Sequence, residues 1–217
     1  MTGKAQANVV IVGAGVVGLA TALALTDQGV APLVLEAERT LGAHQTGHNS
    51  GVIHSGLYYK PGSQKAETCQ VGREALYRFC ERHKVPVRRT GKFVVATSPE
   101  QIPRLDRLLE RGTLNGLVGL RRLGGEELRE MEPEVAGLAA LWVPQTGIVD
   151  YREVLQAMRT ALAEKGVAVV TEERVIDIRH SNEELAIITS TTTHWSRFLI
   201  NCAGLQCDRI AHLFGLK

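Results

Sequence analysis

The run Gly13-Ala14-Gly15-Val16-Val17-Gly18 constrains this chain more than any other stretch, because of what surrounds it. It follows the β-branched segment Asn8 to Val12, which reads as a strand buried on both faces. It opens the helix-forming segment Val16 to Gln28, which ends near Gly29 as a C-cap. Pro32 to Glu36 then supplies a second strand, completing a βαβ unit. In a G-x-G-x-x-G turn each glycine has its own task. Gly13 permits the sharp strand-to-helix turn, Gly15 lets the backbone approach a pyrophosphate, and Gly18 lets the helix pack closely on the sheet. The helix start adds unpaired N–H groups and the positive end of a dipole. Glu36, at the end of the second strand, places a carboxylate where ribose hydroxyls would lie and where a 2′-phosphate would be repelled. A glycine turn that serves packing alone is the plainer reading, but the succession strand, turn, helix, strand, acid favours a dinucleotide site other than NADP. Spacing alone leaves FAD and NAD open.

Composition narrows the class. At 217 residues the chain has room for a core: scaling laws allow about 70% of the unfolded surface to be buried. Hydrophobic residues at 44% and charged residues at 22% argue against a disordered, collagen-like or coiled-coil protein. The balance of 25 basic and 23 acidic residues points to no nucleic-acid partner. Cys69, Cys80, Cys202 and Cys207 form no C-x-x-C pair, and no secretory leader is recognisable, so reduced thiols in a cytoplasmic setting are expected. The apolar run Val9 to Leu25 contains three glycines and is shorter than the about 20 residues a spanning helix needs, so no transmembrane segment is expected.

Further along, Leu41 to Tyr59 reads as a functional loop entering a short helix, and Ser63 to His83 as an amphipathic helix with Cys69 and Cys80 on nearly one face. Lys92 to Thr97 reads as a strand, Pro99 to Asn115 as a charged helix, and Arg121 to Glu134 as a solvated surface segment. Tyr151 to Lys165 reads as a helix and Val167 to Val170 as a strand. Arg174 to Arg179 with Leu185 to Thr189 forms a hairpin, and Phe198 to Cys202 a last buried strand. The expected class is α/β: a Rossmann-like domain made from residues 1–90 and 144–217, with an incomplete α+β substrate domain inserted at residues 91–143.

The stretch His44 to Tyr59 (HQTGHNSGVIHSGLYY), continued by Pro61-Gly62-Ser63, resembles the signature of the L-2-hydroxyglutarate oxidase/dehydrogenase family, one of the D-amino-acid-oxidase-like FAD flavoproteins. The likeness continues through GKFVVATS (Gly91 to Ser98), ELREMEP (Glu127 to Pro133), VPQTGIVDYRE (Val143 to Glu153) and NCAGLQCDRIAHLFGL near the end. Family members run well beyond the residues matched, so the chain corresponds to an N-terminal half. The resemblance implies FAD bound in an extended pose. Gly13, Gly15, Gly18 and Glu36 would hold the ADP part, and His44, Thr46, His48, Asn49, Ser50 and Gly51 would run beside the ribityl chain and ring. The backbone near Val175 would meet the adenine, and Ala203 and Gly204 would return to the pyrophosphate.

The implied reaction is hydride transfer from a 2-hydroxy dicarboxylic acid to the flavin, with electrons passed on to oxygen or a quinone. A quinone acceptor would imply peripheral contact with the inner membrane. A base must take the hydroxyl proton, and an imidazole, with an ordinary pKa of about 6.5, suits that task near neutral pH. His54 is the candidate, with Tyr58 and Tyr59 lining the substrate cavity and Arg152 the best available partner for a carboxylate. His44 and His48 lie four apart but enclose Gly47 and lack an H-E-x-x-H pattern, so no metal site is expected. Two alternatives stay open: a related flavoprotein acting on another 2-hydroxy acid or an amine, and a truncated flavin-binding fragment without activity.

Overall fold

The computed structural model describes residues 7–181 and 183–216. Along the chain the elements run β1 (Val9–Val12), α1 (Val16–Asp27), β2 (Leu33–Leu35), β3 (Val52–Ile53), α2 (Gln64–His83), β4 (Val87–Arg88), β5 (Lys92–Ala96), α3 (Ile102–Leu114), β6 (Arg121–Gly124), α4 (Gly125–Met131), β7 (Ala139–Val143), β8 (Gly147–Val149), α5 (Tyr151–Glu164), β9 (Val169–Val170), β10 (Val175–Ser181), β11 (Glu184–Thr189), β12 (Thr193–Ser196), β13 (Phe198–Asn201) and α6 (Cys207–Leu213). They form two compact units, Met1–Ser50 with Tyr151–Lys217, and Gly51–Asp150. The boundaries differ from those expected at residues 90/91 and 143/144. Strand pairing explains the difference. β8 lies between β3 and β4 in one antiparallel sheet, which draws residues 51–90 and 144–150 into the second unit.

The first unit is built on a parallel sheet in the order β13-β1-β2-β9. Val10 and Ile11 in β1 are fully buried, each worth about 1.5–3 kcal/mol of apolar burial. Their side chains alternate between faces. Val10, Val12 and Leu35 pack with Val175, Ile178, Leu185, Ile187 and Ile210 from the antiparallel β10-β11-β12 sheet and α6. On α1, which packs against β1, β2 and α5, Leu19 and Ala22 are buried.

One buried polar cluster sits at the root of the β10-β11-β12 sheet. Glu173 accepts hydrogen bonds from the hydroxyls of Thr189 and Thr191, and His194 Nε2 lies 3.5 Å from its carboxylate. Burial pushes the Glu173 carboxyl up, yet these donors together outweigh it and hold the group below the usual carboxylate range. The Glu173 N–H donates to Glu36 O at 2.9 Å, which ties this cluster to the end of β2.

In the second unit the sheet β5-β7-β6 has two dissimilar faces. Val94, Ala96, Ala139, Leu141 and Val143 pack with Leu57 and with Leu105 of α3. Phe93, Val95, Ala140 and Trp142 face the other way, against Leu123 and Leu128. Those two leucines correct the reading of Arg121 to Glu134 as a solvated segment, since it contains β6 and α4. Leu123 and Leu128 are buried while most charged neighbours are exposed, so the dense charge hides a short amphipathic pattern. The loop from Leu41 enters a single 3-10 turn at Gln45–Gly47 and then strand β3 rather than a short helix. Among the described residues no helix is long and apolar enough to cross a membrane.

Removing the charge at the Glu173 cluster exposes its contribution. Glu173→Gln should cost about 1.5–3 kcal/mol at neutral pH, the range for hydrogen bonds to a charged group. Because the folded-state pKa is depressed, the contribution is fully present above the unfolded value near 4.3 and is lost as pH falls through the folded one. In denaturant melts the difference between the two proteins should therefore be largest at neutral pH and shrink as the pH falls below the unfolded value, about 4.3.

Candidate functional site

The nucleotide turn leaves no room for side chains at two of its glycines. Gly13 has φ +102°, and a Cβ there would lie 2.4 Å from Cys202 O; a Cβ on Gly18 would lie 1.9 Å from Gly13 O. Gly15 differs. Its backbone is extended (φ −71°, ψ 177°), and a Cβ would meet only Thr46 Oγ1, at 3.2 Å. With no side chain at Gly15, a phosphate can approach its backbone closely. No acidic residue stands in the first turn of α1, so an anion would meet the helix's positive end without a carboxylate in that turn. Thr46 Oγ1 accepts from the Val16 N–H at 3.2 Å, which brings the Gln45–Gly47 turn to this helix start.

Glu36 is aimed by the backbone. One carboxylate oxygen accepts from the Ala14 N–H at 2.9 Å and the other from the Glu38 N–H at 3.0 Å. Each oxygen keeps a further lone pair, enough to accept a ribose hydroxyl. On the other side of β1, the Cys202 N–H donates to Val12 O, and Gly204 (φ +58°) lies close enough to Gln45 that a Cβ would come within 3.0 Å of Gln45 Oε1. Burial pushes the Cys202 thiol up, so it stays protonated beside the turn. The first unit thus brings together Gly13, Gly15, Gly18, Glu36, Thr46, Ala203 and Gly204.

The remaining expected residues divide. His44 Nε2 lies 3.4 Å from Glu38 Oε1, which also accepts from Arg174 Nη2 at 2.8 Å. His48 Nδ1 is 2.9 Å from His44 O, and Asn49 Nδ2 donates to Thr46 O at 2.6 Å. Arg152, expected at a substrate carboxylate, donates to Gly47 O at 3.1 Å. These contacts brace the Gln45–Gly47 turn from both sides. Ser50 is exposed at the end of this stretch, and Gly51 (φ +68°) opens the second unit, where a Cβ would lie 2.8 Å from Val149 O. The Val175 side chain is buried in the core, while Glu172 and Glu173 donate their N–H groups to Glu38 O and Glu36 O. Glu38 and Arg174 were not anticipated, and no local signal marks a pair 136 residues apart. Among the described residues no group of three or more His, Cys, Asp or Glu could hold a metal ion.

In the second unit, β3 leads into a mostly buried turn with two outward side chains. Ile53, Ser55 and Leu57 are buried, whereas His54 and Tyr58 are exposed and Tyr59 is half-buried. One short segment thus displays an imidazole and a phenol. Lys92 Nζ lies 3.4 Å from the Tyr58 hydroxyl and 4.4 Å from its ring centre, and Arg111 Nη1 donates to Tyr58 O at 3.2 Å.

The family model for FAD dependent oxidoreductases matches residues 8–217. The chain belongs to this family. It is 47% identical over 208 residues to an L-2-hydroxyglutarate dehydrogenase of Indibacter alkaliphilus, covering 95% of this chain and 52% of that protein. It is 42% identical over 222 residues to the mitochondrial L-2-hydroxyglutarate dehydrogenase of Homo sapiens, covering 96% and 48%. The chain therefore spans about half the length of the curated relatives it matches. Among solved structures it is similar to dithionite-reduced L-α-glycerophosphate oxidase from Mycoplasma pneumoniae with FAD bound (TM-score 0.88, 26% identity, 96% of this chain and 56% of that one). Glycine oxidase from Geobacillus kaustophilus shares the fold (TM-score 0.86, 22% identity, 98% and 59%).

FAD is the cofactor of this family of oxidoreductases, and the residues present fit its ADP part. A bare backbone at Gly15, a helix start without an acid in its first turn and a carboxylate with spare lone pairs are three features such a group needs. The glycines should separate fold from binding. Gly15→Ala should shift Tm by no more than about 2 °C while weakening FAD binding at least about tenfold. Gly18→Ala should instead cost about 1–3 kcal/mol or more through the clash with Gly13 O. Thermal melts and flavin fluorescence titrations of the two variants check this; equal losses of stability would contradict it.

Proposed function

We propose that this chain acts in the oxidation of L-2-hydroxyglutarate to 2-oxoglutarate with FAD as the electron acceptor. The supporting observation is the 47% identity carried across 95% of the chain to a relative named for that substrate. When bound, FAD supplies the two-electron acceptor for the hydride leaving the substrate carbon. The chain's own residues take the following parts. Gly13, Gly15, Gly18, Glu36, Ala203 and Gly204 hold the adenosine diphosphate part, and the backbone leading into Val175 borders the adenine. His44, Thr46, His48, Asn49, Ser50 and Gly51 line the path toward the flavin ring.

His54 accepts the hydroxyl proton at an imidazole nitrogen, and Tyr58 and Tyr59 shape the substrate cavity. The substrate carries two carboxylates. Lys92 and Arg111 on either side of Tyr58 give this edge of the turn a positive character that suits a dicarboxylate. Arg152 serves the Gln45–Gly47 turn instead. Electrons leave to oxygen or to a quinone; the protein works in the cytoplasm, and a quinone acceptor would bring it to the inner membrane as a peripheral protein.

Anaerobic reduction of the flavin-loaded protein tests the reading. L-2-hydroxyglutarate should reduce the flavin faster than any other member of a panel of 2-hydroxy acids and amino acids. His54→Asn should slow that reduction about 10²–10⁴-fold, the range for a general base. A variant within about threefold of the wild type would remove His54 from the chemistry, and faster reduction by an amino acid would shift the substrate class. A preparation that retains no flavin would identify the chain as lacking activity.

A further inference from the structure

The turn His54–Tyr59 has nearly all its carbonyl groups held by side chains. Cys69 Sγ donates to His54 O at 3.4 Å, Arg73 Nη1 to Ser55 O at 2.8 Å, and Arg111 Nη1 to Tyr58 O at 3.2 Å. Asn115 Nδ2 donates twice, to Gly56 O at 3.0 Å and to Tyr59 O at 2.9 Å. Only Leu57 O lacks such a donor among the contacts described for this segment. The donors come from α2, from α3 and from Asn115, the residue that ends α3. Irregular backbone that is buried must find partners for its polar groups, and here helix side chains supply them in place of a sheet or helix ladder.

Asn115 is the most committed of these donors. It is 5% exposed, both protons of its amide go to the turn, and Asn115 Oδ1 has no hydrogen-bond partner among the described residues. It also bridges the two ends of the Gly56–Tyr59 turn, whose own backbone bond, Tyr59 N–H to Gly56 O, is long at 3.3 Å. Arg73 holds the other end. Its side chain is 9% exposed and is anchored by Glu74 at 3.0 Å. With the carbonyls held and Ile53, Ser55 and Leu57 buried, the clamp fixes the backbone that carries His54 and Tyr58, and the Tyr58 ring also meets Lys92.

We propose that Asn115, together with Arg73, is a positioning residue that presets His54 for reaction with the hydroxy acid. The proposal rests on the reading of His54 as the proton acceptor. A residue acting only through His54 should matter for the chemical step and should matter no longer once His54 is gone. The experiment uses the flavin-loaded protein as wild type, Asn115→Ser, Arg73→Lys, His54→Asn and the Asn115→Ser/His54→Asn double variant. Thr113→Ala is the control, an exposed position on the same helix whose hydroxyl returns to Leu109 O. Arg73→Lys carries the same readouts should Asn115→Ser fail to fold.

In Asn115→Ser and Arg73→Lys, amide exchange over residues 54–60 should rise on the order of tenfold while β5 and β7 keep their protection. FAD affinity should stay unchanged. The flavin reduction rate at saturating L-2-hydroxyglutarate should fall roughly 10–100-fold with little change in half-saturation, as misplacement of a reacting group by about 1 Å does. The double variant should be no slower than His54→Asn. Unchanged exchange would overturn the clamp itself. Raised exchange with unchanged reduction, or an additive double variant, would overturn its role in placing His54. If His54→Asn alone is without effect, the assignment of His54 fails, and the exchange data still decide whether Asn115 holds the turn.

Discussion

The close approach of α1 to the turn that precedes it is the constraint on which the first unit depends. Gly18 and the Gly13 carbonyl are so near that not one methyl group fits between them, and Gly13 itself abuts the Cys202 carbonyl at the end of β13. The end of β1 and the start of α1, adjacent in sequence, converge on one point with the end of β13, which lies far along the chain. What the convergence produces is a helix start with a bare backbone at Gly15, flanked by Glu36 and Thr46. A larger residue at Gly13 or Gly18 would push the helix away from the sheet, and the N–H groups that favour an anion would leave with it.

A second network extends outward from Glu36. Its carboxylate is aimed by the N–H groups of Ala14 and Glu38, and its carbonyl accepts from Glu173, whose own carboxylate is buried among Thr189, Thr191 and His194. Glu38 adds an ion pair to Arg174 and a contact to His44. The ion pair is exposed and worth little by itself. The buried carboxylate matters more, since removing its donors would leave a charge without partners. The antiparallel sheet is thereby tied to the same residue that orients the nucleotide carboxylate, so the register of β10 and the direction of Glu36 are set together.

How much of this could be read from the sequence follows from where the physical cause lies. The β1-α1-β2 unit was legible because glycine spacing, β-branched runs and a terminal acid are all local. Helix α2 was legible from its amphipathic period, with Ser63 as its cap. The segment Arg121 to Glu134 was not, because Leu123 and Leu128 are isolated among charges and their burial depends on β7, a strand that pairs with both β5 and β6. Strands of two or three residues such as β3, β4 and β8 carry no periodicity to detect, and they decide where the second unit begins and ends. His54 and Tyr58 could be singled out by resemblance, but Cys69, Arg73, Arg111 and Asn115, which hold their turn, lie between 15 and 59 residues from the carbonyls they bind.

The two candidate regions therefore solve opposite problems. At the nucleotide turn, backbone N–H groups must stay available to an anion, and the chain achieves this by omission: no side chains on the glycines and no acid in the first turn of α1. At the His54 turn, backbone carbonyls must be covered so that an irregular segment can be buried at all, and the chain achieves this by addition, with a thiol, two guanidinium groups and an amide. Omission tolerates almost no substitution by a larger residue at Gly13 or Gly18, whereas addition spreads the task over several donors of which Asn115 alone binds two carbonyls. A single change is therefore most damaging at the glycines for the fold of the first unit and at Asn115 for the order of the second unit's turn.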